Sequence, residues 1–512
     1  MKNIRYYLFT LAAALGLAGC SEFDKMNQDI NKPANVTAAM VATDLTYDII
    51  NKGGFGGDKN FIYDILLAKQ LAWWEGAQDE QYNKIGTQAM YFQVITNGRR
   101  MLELCHEDDK EAYSGLALFA KVNNMFETSM KLGDIAYSEA GLAEEGLITP
   151  KYDPQKDVMI GLLNDIDQAY THFSNAGKSF AGDLIYNGNV DKWKRAAAAL
   201  ELKILIHLSK KEADAGLNVK ERFARVVSQK ALFQSNSDNF QIEFENKQNM
   251  YYPFSSLNSA HQTYAMVSTV VIDPLKELGD YRLFYFAEPA AAKISEGLSE
   301  SDMDAYIGTD PSAPMSDITK AQGLGMYCKL GQHFTSAEDP VGEPLLRFSY
   351  AEQCFTIAEA ALRGWISVDA NDYYKKGIEA AMKFTADNTL TKHTHGMPMT
   401  DEYIQEFINK PEVQLQGDFE NKLNQIITQK YIASFMQFSY NPYFDYRRTG
   451  YPVFPINPAT SRNDDGYKDQ LPTRWRYRPA EYSSNRENLN EALIRQFGEE
   501  RDTNNDLIWI LK

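Results

Sequence analysis

Residues 349–365 read Ser-Tyr-Ala-Glu-Gln-Cys-Phe-Thr-Ile-Ala-Glu-Ala-Ala-Leu-Arg-Gly-Trp, and this stretch decides the fold. Ala351, Phe355, Ala358, Ala361 and Leu362 fall on one face at three- and four-residue steps, the period of an amphipathic helix. Turn residues around Asp369 and Asn371 follow, and Tyr373 to Ala386 repeats the helical pattern. The pair predicts an αα-hairpin of roughly 40 residues, the size of a tetratricopeptide unit. Working outward, Gly115 to Tyr137 carries Leu116, Phe119, Val122, Phe126, Met130 and Leu132 at helical spacing. Asn189 to Ser209 does the same through Trp193, Ala197, Leu200, Ile204 and Leu208, and Lys422 to Gln437 is a further helix. No strict repeat links these segments, so any solenoid character is degenerate. The predicted class is mainly α, with degenerate tetratricopeptide-like hairpins chiefly in 40–235 and 347–440 supporting a loop-rich ligand face. Residues 236–340 mix Pro, Gly, Ser, Asp and aromatics without period, and the tail from Tyr440 shows no helical stripe until Asn488. Long irregular stretches inside a folded chain commonly carry function.

Composition narrows what that function can be. The 512 residues are 44% hydrophobic and 24% charged, which excludes wholesale disorder and leaves ample material for a core. Lys and Arg total 52 against 69 Asp and Glu, a net charge of −17. A binder that neutralises nucleic-acid phosphates, or docks on anionic lipid through a polybasic patch, needs the opposite sign. The 30 Tyr, 27 Phe and 6 Trp exceed what a core requires, which points some of them toward a ligand surface.

The N-terminus predicts the compartment. Lys2 and Arg5 precede an apolar run from Leu8 to Ala18, too short to span a bilayer. It closes with Leu17-Ala18-Gly19-Cys20, a lipobox in which the small residues suit the signal peptidase and the Cys20 thiol receives lipid. Residues 1–19 are therefore expected to be removed, leaving 20–512 as one tethered domain. Multiple acyl chains would give the stable anchoring that one chain cannot. Cys105, Cys328 and Cys354 then remain, without C-x-x-C spacing, and read as buried free thiols.

The sequence offers little catalytic chemistry. It contains no H-E-x-x-H, G-x-S-x-G, P-loop or G-x-G-x-x-G, and no cofactor is called for. Gly53-Gly54-Phe55-Gly56-Gly57 reads as a flexible loop. His393 and His395 read as a solvated loop rather than a metal pair. Asn463-Asp464-Asp465-Gly466 with Asp469 reads as a plain turn rather than a calcium site.

Ligand candidates follow from what a sugar presents, an apolar C–H face with a polar rim. Trp73 and Trp74, followed by Gln78, Gln81 and Tyr82, set indoles beside amides on one predicted helix. Tyr251, Tyr252 and Phe254, with Ser255, Ser256 and Asn258, lie in the irregular middle, where a platform could stand out. Each buried face of ~100 Å² is worth ~2.5 kcal/mol before ordering costs. The rival reading is a surface glycoside hydrolase, which needs two carboxyl groups about 5–9.5 Å apart across a cleft.

The motifs together resemble the SusD/RagB family of nutrient-binding outer-membrane lipoproteins, and more closely its second SusD-like branch. Asp29-Ile30-Asn31-Lys32-Pro33 is similar to the family's N-terminal segment, and Asp183-Leu184-Ile185-Tyr186-Asn187-Gly188-Asn189 before Lys192-Trp193-Lys194 to its helix entry. Asp280-Tyr281-Arg282-Leu283, Tyr350-Ala351-Glu352, Ala358 to Trp365 and Gln429-Lys430-Tyr431-Ile432-Ala433 follow in the family order. Asp445 to Pro452, Leu471-Pro472-Thr473-Arg474 and Tyr477-Arg478-Pro479-Ala480-Glu481 complete the likeness. The resemblance implies a non-enzymatic receptor at the cell surface, held in the outer membrane by its lipid anchor. It would sit on a SusC-like TonB-dependent transporter and deliver glycans or oligosaccharides, or peptides in some branches. Glu22 and Asp24 behind the lipobox resemble the acidic export signal of such lipoproteins. Glu352 and Glu359 share a helical face, and Arg447 and Arg448 are expected to fork onto such acids as a structural tie.

Overall fold

A computed structural model describes residues 36–50, 62–258 and 260–512; Cys20, Asp29–Pro33 and Gly53–Gly57 lie outside the described residues. Among the described residues the longer helices of the first part are α1 (Ala38–Ile50), α2 (Gln93–Leu104), α3 (Lys110–Leu132), α4 (Gln155–Asn175), α5 (Val190–His207) and α6 (Val219–Gln229), with a five-residue helix at Tyr63–Leu67. Successive helices pack against one another, α3 on α4, α4 on α5 and α5 on α6. The middle segment holds α7 (Thr269–Leu278) and α8 (Met315–Gly323), and after it come α9 (Tyr350–Leu362), α10 (Ala370–Asn388), α11 (Asp401–Asn409) and α12 (Phe419–Ala433). The decisive stretch is therefore a helix, and it pairs with α10 as the sequence expects. Its start is set by Ser349, whose Oγ accepts the Glu352 N–H at 3.0 Å; Asp369 caps α10 through the Asn371 N–H at 2.8 Å. Gly377 makes the hairpin tight, because a Cβ there would meet the Phe355 ring at 2.7 Å. Gly115 does the same for α3 and α4, where a Cβ would meet the Phe173 ring at 2.8 Å.

Strands are few and short. Among the described residues three two-stranded ribbons form: β1 (Leu71–Trp73) with β4 (Ala265–Val267), β2 (Thr87–Gln88) with β6 (Arg476–Tyr477), and β3 (Phe240–Ile242) with β5 (Leu345–Phe348). One apolar cluster runs through the whole, from Ala38 to Leu511. Cys328 and Cys354 are buried free thiols, whereas Cys105 is partly exposed. No helix among the described residues is long and apolar enough to cross a membrane.

The tail departs from its sequence reading. Beyond α12 it holds α13 (Asn441–Thr449), a short helix at Pro479–Ser484 and α14 (Arg486–Phe497), and α13 shows no clean apolar stripe because Asp445 and Arg448 are buried beside Pro442, Tyr443 and Phe444. Asp445 and Arg448 are 2% and 6% exposed. Arg448 forks onto Glu359, with Nη2 donating to Oε2 at 2.8 Å, and also donates to Asp445 at 2.7 Å. Arg363 reaches the same Glu359 at 2.8 Å, and Lys430 stands 2.9 Å from Asp445. Burial opposes ionisation here, yet Lys430 and Arg448 hold the Asp445 carboxyl well below the usual carboxylate range. Arg447 corrects the expectation made for it. Among the described residues it takes no carboxylate, and instead donates to the carbonyls of Thr473 at 2.5 Å and Met130 at 2.8 Å.

His393 and His395 are not a solvated loop either. His393 is buried, and His395 lies with Nδ1 at 2.7 Å from the Phe284 carbonyl and Nε2 at 3.1 Å from Glu288. Two acceptors facing both ring nitrogens favour the doubly protonated ring, so although burial opposes charge, Glu288 raises the His395 pKa. A raised histidine pKa contributes stability that is complete below the unfolded value and is lost as pH rises through the folded one. His395→Ala is thus expected to lower the urea midpoint more at about pH 6 than at about pH 9. Equal losses at both pH values would remove the charge from the account.

Candidate ligand face

The face is organised by β1. Leu71 pairs with Val267 and Trp73 with Ala265, while Met266 bridges Lys329 on the far side of β4. Side chains alternate along such a ribbon, so Trp73 and Trp74 leave on opposite sides. Trp73 is fully buried in the main core. Trp74 is half-buried and packs on a small separate cluster of Ala72, Met266 and Ile318, which Ala313 and Tyr327 also cover. Its indole is pinned: Nε1 donates to the Thr263 carbonyl at 3.0 Å, and Tyr264 meets the ring edge-on at 5.2 Å. Thr319 of α8 donates to the Trp74 carbonyl at 3.4 Å. A ring held this way loses little freedom when a ligand covers it.

This arrangement corrects the predicted helix from Trp73 to Tyr82, which is a strand followed by a loop. Pairing with a strand about 190 positions away overrides the local helical spacing. In the loop Gln78 is half-buried, with its amide on the Gly76 carbonyl at 3.0 Å. Gln81 is buried, and its Oε1 accepts the Trp73 N–H at 2.8 Å. Tyr82 is 3% exposed, its hydroxyl donating to the Ala313 carbonyl at 3.0 Å, so it is a packed strut and not an open platform. Lys69, buried and in the left-handed region at φ 58°, ties the loop from behind through the Gln81 carbonyl at 2.5 Å and Asn83 Oδ1 at 2.8 Å. Burial pulls its pKa down to about 7. Arg462 closes the loop from the tail, 2.7 Å from Asp79.

The middle segment is corrected in the same sense. Tyr252 and Phe254 are fully buried; Tyr252 lies between Phe244 and Phe438, and Phe254 stacks on Phe438 with centroids 6.0 Å apart. Their backbone lies against the 335–340 loop, where Tyr252 N–H donates to the Pro340 carbonyl at 2.8 Å. Tyr251 remains half-buried and Asn258 exposed. Trp74, Gln78, Tyr251 and Asn258 thus stay at the surface, while Trp73, Tyr82, Tyr252 and Phe254 are withdrawn into packing. Sequence reading missed Tyr264, Thr319 and Tyr327, because only strand pairing and the seating of α8 carry them to Trp74. Among the described residues no group of three or more His, Cys, Asp or Glu side chains is placed to hold a metal ion.

With this geometry in hand, comparison with known proteins places the chain. A family model described as SusD-like_2, starch-binding associating with outer membrane, matches residues 31–478. A SusD homologue of known structure from Bacteroides fragilis is 49% identical, with a TM-score of 0.89 over 93% of this chain and 100% of its own. A second from the same species is 29% identical with a TM-score of 0.81 over the same shares, 93% and 100%. A protein described as chitin-binding is 25% identical with a TM-score of 0.72, again covering 93% of this chain and 100% of its own. No curated protein matches. A helical scaffold of this order, a loop face built on β1 and a family match over most of the length together make the chain a member of the SusD/RagB family, in its second SusD-like branch.

Proposed function

We propose that the protein captures glycans or oligosaccharides at the cell surface and hands them to a TonB-dependent outer-membrane transporter. The observation that carries the reading is Trp74, a pinned, half-buried indole on a loop face, with Tyr264 edge-on to it and the Thr319 hydroxyl on its carbonyl. The family's description as starch-binding and the chitin-binding relative supply the ligand class. Among the acids of the loop, Glu75 accepts from the Trp73 indole N–H at 3.4 Å, Asp79 is paired with Arg462 at 2.7 Å and Lys84 at 3.4 Å, and burial raises the Glu80 carboxyl to about 7, so the cleavage assay below is the test that separates capture from hydrolysis. Stacking on one or two rings gives micromolar to millimolar affinity, weak enough to release cargo.

The test is calorimetry on the soluble protein from Ser21 onward with malto- and chito-oligosaccharides, followed by mass spectrometry of the recovered sugar. Saturable binding with unchanged chain length supports capture. Progressive shortening, lost on replacing a single Asp or Glu, would replace it with the hydrolase. Binding of peptides and of no glycan would move the ligand class.

Anchoring is tested separately. Cys20→Ala is expected to abolish incorporation of labelled palmitate, and continued labelling would overturn the lipoprotein reading. Mild-detergent purification from the native outer membrane is expected to recover one barrel transporter at near-equal amounts, through an interface above about 1,000 Å². Recovery of the protein alone would count against delivery.

A further inference from the structure

Lys69 lies behind the ligand loop, fully buried, at the point where the chain turns into β1. Three oxygens of the loop converge on its Nζ: the Gln81 carbonyl at 2.5 Å, Asn83 Oδ1 at 2.8 Å and the Glu80 carbonyl at 3.4 Å. An ammonium has three N–H donors and no acceptor, so three oxygens match the charged form. A neutral amine has two donors, and its lone pair would face an oxygen.

From this clasp the loop reaches the platform by two routes. Gln81 Oε1 accepts the Trp73 N–H at 2.8 Å, one residue from Trp74. The Tyr82 hydroxyl donates to the Ala313 carbonyl at 3.0 Å, and Ala313 packs on the cluster that Trp74 also covers. The tail leans on the same loop. There the Arg462 N–H donates to the Tyr82 carbonyl at 2.6 Å, and the Asn83 amide donates to Ser461 Oγ at 3.4 Å.

We propose that Lys69 is the positioning residue of the ligand face: its ammonium holds Gln81 and Tyr82 where they seat Trp74, so glycan affinity follows the charge on a buried side chain that touches no sugar. The inference rests on the glycan-capture reading.

That charge changes within an accessible pH range. Burial pulls the Lys69 pKa down to about 7, opposed by the Asp310 and Glu80 carboxylates that face it. Burial also raises Glu80 to about 7, with Asp79 adding to the rise and Lys69 and Lys84 opposing it. Tyr82 and Tyr431, packed against the same segment, are raised by burial and stay protonated. Two consequences have opposite signs. Affinity should fall as pH rises through about 7, because the third donor is lost. Stability should rise from there upward, because the unfolded lysine keeps its proton to about pH 10.4 and so binds more protons than the folded one.

The experiment is calorimetry on the soluble protein from Ser21 onward with malto- and chito-hexasaccharides at about pH 6 and about pH 9, for wild type, Lys69→Met and Glu80→Gln. Wild type is expected to bind about tenfold more weakly at the higher pH, and Lys69→Met to bind equally weakly at both. The stability margin of wild type over Lys69→Met in urea should meanwhile move in favour of wild type as pH rises. Glu80→Gln should keep the fall in affinity and move it to lower pH, since a charge that supports the ammonium is gone. Affinity that is flat with pH in wild type, or a fall that persists in Lys69→Met, overturns the positioning role. A fall abolished by Glu80→Gln overturns it too, by giving the titration to Glu80. Should Lys69→Met fail to fold, the wild-type and Glu80→Gln profiles decide. If neither sugar binds, the capture reading falls, and hydrogen exchange over residues 77–83 still tests the clasp without ligand. Exchange there should be faster in Lys69→Met than in wild type at about pH 6, and equal exchange overturns the clasp as well.

Discussion

Arg448→Met is expected to cost the fold about 3–5 kcal/mol, the penalty of removing one partner from a buried ion network. The guanidinium is 2% exposed at its side chain and serves two carboxylates, Glu359 and Asp445. Its loss leaves both acids buried with only Arg363, at 16% side-chain exposure, and Lys430 to offset them. Denaturant unfolding of the soluble protein measures the loss. Glu359→Gln should be milder, since it keeps the shape and removes one charge, and the double variant should cost less than the sum of the two singles. Additive losses in that cycle would show that the network does not act as a unit. Glycan affinity of the folded variant should stay near wild type, because α9 and α13 lie in the scaffold and not on the ligand face.

The two adjacent tryptophans give the other large effect. Trp74→Ala removes a stacking face of roughly 2 kcal/mol and should weaken glycan binding about 30-fold, with the helical circular dichroism and melting temperature close to wild type. Trp73→Ala should do the reverse. It empties a core site of an indole that is 0% exposed, at about 3–5 kcal/mol, and affects binding through stability alone. Tyr252→Ala belongs with Trp73, since that ring is also 0% exposed. A large drop in melting temperature for Trp74→Ala, or unchanged affinity, would move the platform elsewhere on the loop face.

How these residues were legible differs from one to the next. Helices α3, α5, α9, α10 and α12 were visible because each buries one face, and a 3.6-residue period is a local property of the chain. Helix α13 was hidden because its buried residues include Asp445 and Arg448, which read as solvent-facing until Glu359, 89 positions before Arg448, is brought to them. The Trp73–Trp74 pair stood out as a candidate platform, but its local spacing suggested a helix. Only pairing of β1 with β4 shows that the two rings part, one to the core and one to the surface. Tyr252 and Phe254 failed for the matching reason. An aperiodic aromatic run looks exposed, and its burial depends on Phe438 and the 335–340 loop closing over it.

By itself, then, the sequence determined the helical class, the hairpin built on residues 349–386, the family and the acidic, motif-poor character that speaks against phosphate binding. Tertiary structure alone decided which aromatic rings face solvent, that Arg448 and not Arg447 holds the tail's acids, and that α8 brings Ile318 and Thr319 against Trp74. The physical reason is one of range. Helical periodicity and capping are settled within a few turns of chain. The exposure of a ring and the pairing of a buried charge are settled by groups that meet only after the chain has folded.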